Sequence, residues 1–283
     1  MRVLLAGATG VIGRSLVPLL LNHGHHVAAM SRREASPAER RDRLRWRSVN
    51  VFDRAAVFAL MEEERPDCVM HQLTDLTSMN SDANALLRSV GTRNVVDAAQ
   101  AAGVRRMVAQ SIAWGYEPGS GPADEGTPLD LHAPYPRQTT IRGVVALESA
   151  IAEIRHFVVL RYGTLYGPGT WYARDGAFAR RVREQTMQQS SEVTNFLHVE
   201  DAANAALLAL HWPNGVVNIV DGDSAMEAEW LPLYAKRLNA PEPPRSATNQ
   251  EVSGMTRVVG NSHARSLGWQ PSGPTWRGYL GLE

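Results

Sequence analysis

Seven residues near the start of the chain, Gly7-Ala8-Thr9-Gly10-Val11-Ile12-Gly13, have the spacing of a turn that brings backbone close to a ligand. The first glycine permits a sharp reversal and the second lets main chain approach a pyrophosphate. The third lets a strand and a helix pack closely. A helix opening at Val11 and Ile12 would turn its free N–H groups toward the phosphates. Gly7, Thr9, Gly10, Val11, Ile12 and Gly13 are therefore candidate dinucleotide ligands; the alternative is a turn of purely structural use. Selectivity is read at Met30-Ser31-Arg32-Arg33, where no carboxylate precedes Glu34. A carboxylate there would hold a ribose hydroxyl, as in NAD sites. Ser31, Arg32 and Arg33 instead offer a hydroxyl and forked guanidinium donors to a ribose phosphate, so NADP(H) is expected in preference to NAD(H). The competing reading makes the arginines a solvated surface turn. Asn50 and Val51, just after the third apolar run, complete the cofactor candidates.

The remaining chemistry-bearing residues are sparse. Lys236 is the only lysine and Cys68 the only cysteine, so internal disulfides and cysteine-rich metal centres are excluded and a catalytic lysine has almost no source. Cys68 reads as a core thiol within an apolar run. The nine histidines show no metal-ligand spacing, and no metal is expected. Ser111, Trp114, Tyr116, Tyr135, Thr140 and Tyr166 are the candidate substrate-binding residues, offering packing and orientation more than proton transfer. Tyr135 lies between Pro134 and Pro136, in extended chain with no lysine following.

These residues must be positioned by a regular framework. Apolar runs at 2–6, 26–30, 45–49, 68–72, 106–110 and 157–162 read as strands. Helical periods at 12–22, 54–63, 82–102 and up to 153 alternate with them. Alternation of this kind predicts an α/β fold, a doubly wound parallel sheet of Rossmann type with a smaller C-terminal substrate-binding domain. The expected boundaries are 1–165 with 193–222 for the NADP-binding domain, and 166–192 with 223–283 for the smaller one. Trp171, Trp212, Trp230, Trp269 and Trp276 concentrate in the later part. A formal net charge of zero argues against a nucleic-acid or membrane-surface role driven by bulk charge. No run has the length of a membrane helix and no signal peptide opens the chain, so a cytoplasmic protein with a small-molecule partner is expected, its oligomeric state open.

With these stretches in place, the chain resembles the extended short-chain dehydrogenase/reductase family, which includes sugar-nucleotide epimerases and dehydratases. The matching segments are the glycine turn, Gly91-Thr92-Arg93-Asn94, Val108-Ala109-Gln110-Ser111 and Leu160-Arg161-Tyr162-Gly163 with Tyr166-Gly167-Pro168-Gly169. They continue with Phe196-Leu197-His198-Val199-Glu200-Asp201 and Leu267-Gly268-Trp269-Gln270-Pro271. The resemblance implies a catalytic Ser or Thr after the fifth strand and a Tyr-x-x-x-Lys pair on the next helix, with a glutamate four residues beyond the lysine. Anchored on Glu148, that helix puts Thr140 in the tyrosine's place and Val144 in the lysine's. Ser111 opens the serine motif, although Ile112 or Ala113 could align with the catalytic position. Arg142 points about 200° around the helix from Thr140, too far to substitute. No catalytic residue is assigned: Ser111, Thr140 and Val144 occupy or flank the usual positions.

Loss of the acid leaves the larger contribution, holding hydride donor and acceptor together, intact, and it is less costly where the acceptor is already polarised. A ketone with a neighbouring phenol or enol carries its own hydrogen bond to the reacting oxygen. The resemblance to the atypical branch of the family in actinobacterial secondary metabolism points the same way. It implies an NADPH-dependent ketoreductase acting on a polycyclic, angucyclinone-like aromatic ketone of antibiotic biosynthesis. A non-catalytic NADP sensor and a sugar-nucleotide epimerase or dehydratase are the competing readings.

Overall fold

The computed structural model describes residues 1–32, 42–75, 80–246 and 257–280. The first half alternates as expected: β1 (Arg2–Ala6), α1 (Val11–Asn22), β2 (His26–Ser31), β3 (Leu44–Ser48), α2 (Arg54–Glu64) and β4 (Cys68–His71). A helical run follows in three pieces: α3 (Ser81–Leu86), a π-helical turn (Leu87–Gly91) and α4 (Thr92–Ala101). Then come β5 (Arg106–Ile112), α5 (Arg137–Ile151), β6 (His156–Tyr162), β7 (Thr164–Tyr166), α6 (Ala177–Arg183), β8 (Val193–Thr194) and β9 (Phe196–His198). The chain closes with α7 (Val199–Leu208), β10 (Gly215–Ile219), β11 (Ala225–Met226), α8 (Glu227–Arg237), α9 (Ser262–Ser266) and α10 (Trp276–Tyr279).

Seven strands form one sheet in the order β10-β6-β5-β4-β1-β2-β3, with β1 paired in parallel to both β2 and β4. The chain reverses direction across the sheet at β1, the topological switch point of a doubly wound fold. Val3, Leu4, Leu5 and Ala6 are all buried, as a strand covered on both faces requires. Helix ends are set locally: the Asp53 carboxylate accepts from Ala56 N at 3.0 Å to start α2, and the Asn80 side chain accepts from Asp82 N and Ala83 N to start α3.

By compactness the chain divides into two units. The first comprises Met1–Ser111, Pro134–Leu160 and Ala203–Val216; the second comprises Ile112–Ala133, Arg161–Ala202 and Val217–Glu283. Residues 112–133, 161–165, 193–202 and 217–222, read in the sequence with the NADP-binding domain, group by compactness with the second unit. Their side-chain partners explain it: the Tyr116 hydroxyl donates to Asn218 Oδ1 at 2.6 Å and accepts from Arg161 Nη1 at 2.9 Å. Trp212 belongs to the first unit, where its carbonyl accepts from Arg106 Nη1 at 3.2 Å.

The first unit's core lies under α2, α4 and α5, with Leu4, Ala6, Val69, Met107 and Ala109 of the strands meeting Val57, Val95, Ala99, Leu147 and Ile151. The second unit has an aromatic core of Tyr166, Tyr172, Phe196, Trp230, Tyr234 and Trp276. Its rings meet largely edge to face, as Tyr172 and Trp230 do at 5.5 Å between centroids. The Asp201 carboxylate accepts from the backbone N–H groups of Ser272 and Gly273 and from the Ser272 hydroxyl, fixing the 267–273 stretch within this unit.

Helices α3 and α5 meet at a point where no side chain fits: a Cβ on Gly143 would lie 2.9 Å from Ala85 Cα. Gly143→Val is expected to lower stability by about 1–3 kcal/mol through overpacking. Denaturant unfolding measures it, and Ala85→Gly in the same background should recover part of the loss. Unchanged stability would show that the helices separate freely.

Candidate active site

The first unit supplies the glycine turn. Gly7 has φ +95°, and a Cβ there would stand 2.4 Å from the carbonyl oxygen of Gln72 at the end of β4. A Cβ on Gly13 would stand 2.2 Å from the Gly7 carbonyl oxygen. Gly10 differs: its Cβ would meet only the Gly7 oxygen, at 3.1 Å. Two of the glycines are thus required by the protein itself, whereas the space over Gly10 is not filled by protein. Gly10 also opens α1 with no side-chain cap, which leaves the N-terminal N–H groups of a twelve-residue helix available to an anion. The residues present fit a pyrophosphate. Thr9 is tied down through its carbonyl, which accepts from Arg14 Nε at 2.9 Å.

The turn is bound to the neighbouring strand, since Gly7 N and Ala8 N both donate to Met30 O. At the end of β2, Ser31 is 5% exposed and Arg32 stands in solvent; Arg33 lies outside the described residues. Asn50 is exposed and forms a turn, its side-chain oxygen accepting from Phe52 N at 3.2 Å. Val51 is buried; its carbonyl accepts from Asn94 Nδ2 at 3.0 Å, and its side chain faces Gly91. Gly91 and Asn94 of the family segment therefore act on the loop after β3. After β4, Leu73 O accepts from Gln110 Nε2 at 2.8 Å, and the Asn84 amide clamps Thr74 and Asp75. Sequence reading missed Gln72, which is 3% exposed and whose side-chain amide has no partner among the described residues. A buried amide at this turn is not signalled by any spacing.

The face of α5 carries Thr140, Val144 and Glu148 at intervals of four. Thr140 is 8% exposed and Val144 fully buried. Ser111, closing the first unit's part of β5, donates through Oγ to Glu148 Oε1 at 2.6 Å. Glu148 thus holds the serine of the motif. Tyr135 precedes α5 and is 74% exposed. Lys236 is exposed on α8. His71 at the end of β4 shares a hydrogen bond of 3.1 Å between its Nε2 and Thr92 Oγ1, and burial pushes its pKa down to about 4. It is neutral, with no acid function at ordinary pH. No group of His, Cys, Asp and Glu among the described residues could hold a metal ion. No described helix is long and apolar enough to cross a membrane.

The other substrate candidates belong to the second unit. Trp114 is half-buried. Tyr116 is 3% exposed, and besides its two hydrogen bonds the Arg161 guanidinium lies 5.0 Å from its ring centre. Tyr166 is buried among the aromatic rings, and its hydroxyl reaches Pro274 O at 2.5 Å and Asp221 Oδ2 at 3.3 Å. Burial pushes the Asp221 carboxyl up to about 7, with the Asp223 N–H holding it down in part. Both tyrosine hydroxyls are therefore engaged by their own unit.

The chain belongs to the NAD dependent epimerase/dehydratase family, whose model matches residues 3–220. It is an oxidoreductase of the extended short-chain dehydrogenase/reductase type. Among curated proteins it is 44% identical to a Streptomyces 3-diazoavenalumate denitrifying reductase, over the full length of both chains. It is 25% identical to a UDP-glucose 4-epimerase of Mycolicibacterium smegmatis, over 96% of this chain and 94% of the relative. Solved structures share the fold: the Bordetella bronchiseptica enzyme WbmG, crystallised with NAD, superposes with a TM-score of 0.79 at 22% identity, covering 100% of this chain and 92% of that one. The UDP-glucose 4-epimerase of Thermus thermophilus, also with NAD, gives 0.77 at 24% identity, covering 96% and 94%.

The glycine geometry separates ligand from fold. Gly10→Val is expected to abolish dinucleotide binding while leaving the melting temperature near that of the native chain. Gly13→Val is expected to lose folded protein altogether, since the Gly7 carbonyl occupies its Cβ position. Calorimetric titration beside thermal unfolding checks the pair. Normal NADPH binding by Gly10→Val would rule out the turn as the pyrophosphate site.

Proposed function

We propose that this oxidoreductase is an NADPH-dependent reductase whose hydride acceptor needs no proton from the protein, and that the acceptor is a diazo-substituted carboxylic acid that loses dinitrogen. The observation that carries the reading is the pair Thr140 and Val144, which puts neither a phenol nor an ammonium on the face of α5. The choice of acceptor is supported by the relative sharing 44% of its residues, a 3-diazoavenalumate denitrifying reductase. A bound reduced nicotinamide supplies hydride. A diazonium carbon substituent, R–N2+, accepts it to give R–N=N–H, which collapses to R–H and N2. The cation is neutralised by the hydride itself, so no oxyanion develops and the usual acid has nothing to protonate. The glycine turn holds the pyrophosphate, Arg32 and Ser31 hold the adenosine-side phosphate, and Ser111 bonded to Glu148 fixes the end of β5 beneath the reacting groups.

A polycyclic ketone with a hydroxyl beside its carbonyl meets the same requirement through its own internal hydrogen bond. The same pair of residues favours it, and the relative's denitrifying reaction ranks it second. An epimerase draws on an acid and base that α5 lacks. Incubation with NADPH and 3-diazoavenalumate, with inactivated protein as the control for uncatalysed reduction, decides between them. One N2 released per NADPH oxidised is expected. NADPH oxidation with a 1-hydroxyanthraquinone but not with the diazo compound would overturn the diazo reading, and oxidation with neither would overturn both.

Two substitutions sharpen the test. Thr140→Val should cost at most about tenfold in turnover, whereas removing a true general acid costs about 10²–10⁴-fold. Arg32→Ala should weaken NADPH while leaving NADH affinity unchanged; equal affinity of the native chain for the two would exclude NADP selectivity.

A further inference from the structure

Tyr166 closes β7 with its ring in the aromatic core of the second unit and its hydroxyl between two oxygens, Pro274 O at 2.5 Å and Asp221 Oδ2 at 3.3 Å. A phenol has one proton to donate. The Pro274 carbonyl can only accept, and the shorter distance assigns the proton to it. The phenol oxygen then has only lone pairs to offer Asp221. An ionised carboxylate would set two acceptors against each other, whereas a protonated Asp221 donates from Oδ2. Its other oxygen, Oδ1, accepts from Asp223 N at 2.9 Å, which leaves Oδ2 to carry the proton. The surroundings act in the same sense. Burial pushes the Asp221 carboxyl up to about 7, and the carboxylates of Asp223 and of Asp201 on α7 add to the rise. Arg277 of α10 is engaged elsewhere, by Asp223 Oδ2 at 3.2 Å and by Glu229 Oε1 of α8 at 2.6 Å. The remaining titratable groups lie against the Tyr166 ring: His198 of β9 at 5.2 Å and Tyr279 of α10 at 5.7 Å between ring centres.

We propose that Asp221 is a proton-operated fastening for the last described stretch of the second unit. Protonated, it completes a relay in which Asp223 N donates to Asp221, Asp221 to Tyr166 and Tyr166 to the Pro274 carbonyl. When the carboxyl proton leaves to solvent, the phenol stays neutral and its O–H turns from Pro274 O to Asp221 Oδ2. Pro274 then loses its donor at the point where the chain passes from Gly273, held by Asp201, into α10. All these residues belong to the second unit. The sign follows from the raised value: the folded chain keeps a proton that the unfolded chain has given up. The stabilisation is therefore whole in the ordinary carboxylate range and is lost as pH rises through about 7. The device is independent of the reaction proposed for the first unit's dinucleotide, and it makes the hold on residues 272–278 respond to pH around neutrality.

Hydrogen exchange at the amides of Ser272, Gly273 and Gly278 tests it on the whole protein, each read against unstructured chain at the same pH. In the native chain their protection is expected to fall about tenfold between about pH 6 and about pH 8, since each unit above its pKa leaves a carboxyl tenfold less protonated. Asp221→Asn supplies an amide that donates to the phenol and accepts from Asp223 N at any pH, and should keep the protection at both. Tyr166→Phe should show the low protection at both. A native chain equally protected at the two pH values overturns the proposal. So does a fall that persists in Asp221→Asn, which would pass the titration to His198, Asp201 or Asp223. A fall that persists in Tyr166→Phe overturns it too, since Asp221 would then titrate without reaching Pro274. Should Tyr166→Phe fail to fold, carbon NMR of the native chain carries the comparison, with Asp221→Asn to assign the carboxyl. An Asp221 carboxyl titrating near neutral pH in step with the Tyr166 Cζ signal is expected. Titration in the ordinary carboxylate range, or a Tyr166 signal that does not follow, overturns it.

Discussion

Two carbonyl oxygens set the geometry on which the site depends. The Gly7 oxygen accepts from Gly10 N at 2.9 Å and lies where a Cβ on Gly13 would be; the Gln72 oxygen lies where a Cβ on Gly7 would be. Main chain from β1, α1 and the end of β4 therefore meets at near contact, and the two N–H groups after β1 are tied to β2 through Met30 O. The N-terminus of α1 can only point over the carboxyl ends of these strands, the crevice where ligands of doubly wound sheets lie. Asn94, Asn84 and Gln110 then fasten the loops after β3 and β4 around the same crevice. The cradle is rigid because backbone, rather than adjustable side chains, defines it.

Rigidity matters more here than acid catalysis. Holding a hydride donor and acceptor in reacting geometry lowers a barrier by up to ~7–11 kcal/mol. A general acid contributes about 10²–10⁴-fold, or roughly 3–5 kcal/mol. An α5 face with Thr140 and Val144 gives up the smaller quantity and keeps the larger. On the reading proposed above, the acceptor's own charge or internal hydrogen bond replaces the missing proton. The residues thus restrict the acceptor more than they restrict the reaction type.

The features legible in the sequence are those set by neighbours along the chain. The glycine turn and the alternation of strands and helices follow from spacing of a few residues. The helix expected over 82–102 occurs as Ser81–Ala101, but with a π turn at Leu87–Gly91 that periodicity does not reveal. Glu148 served in the sequence only to fix a register; its bond to Ser111 spans 37 residues. Nothing local to the chain signals that Arg88 is 9% exposed or that Ala85 and Gly143 bring α3 and α5 together. Tyr116 and Tyr166 are substrate-binding candidates in the sequence; that their hydroxyls meet Asn218 and Pro274, 102 and 108 residues away in the chain, is set by the fold.

The contrast between Gly10 and its companions bears on whether such a site still works as an enzyme or survives only as a scaffold. Gly7 and Gly13 are needed for the turn to close whether or not a ligand is bound. Gly10 is not: an added methyl would meet one oxygen at 3.1 Å, a clash relieved by a shift of tenths of an ångström. At the N-cap glycine supplies no side-chain hydrogen bond, which Ser, Thr, Asn or Asp would, so the fold alone does not require glycine here. Its presence is accounted for by what must lie against it. The ligand-dependent part of the cradle is intact while the acid has gone from α5. That combination suits a reductase relieved of proton transfer better than a fold relieved of its cofactor.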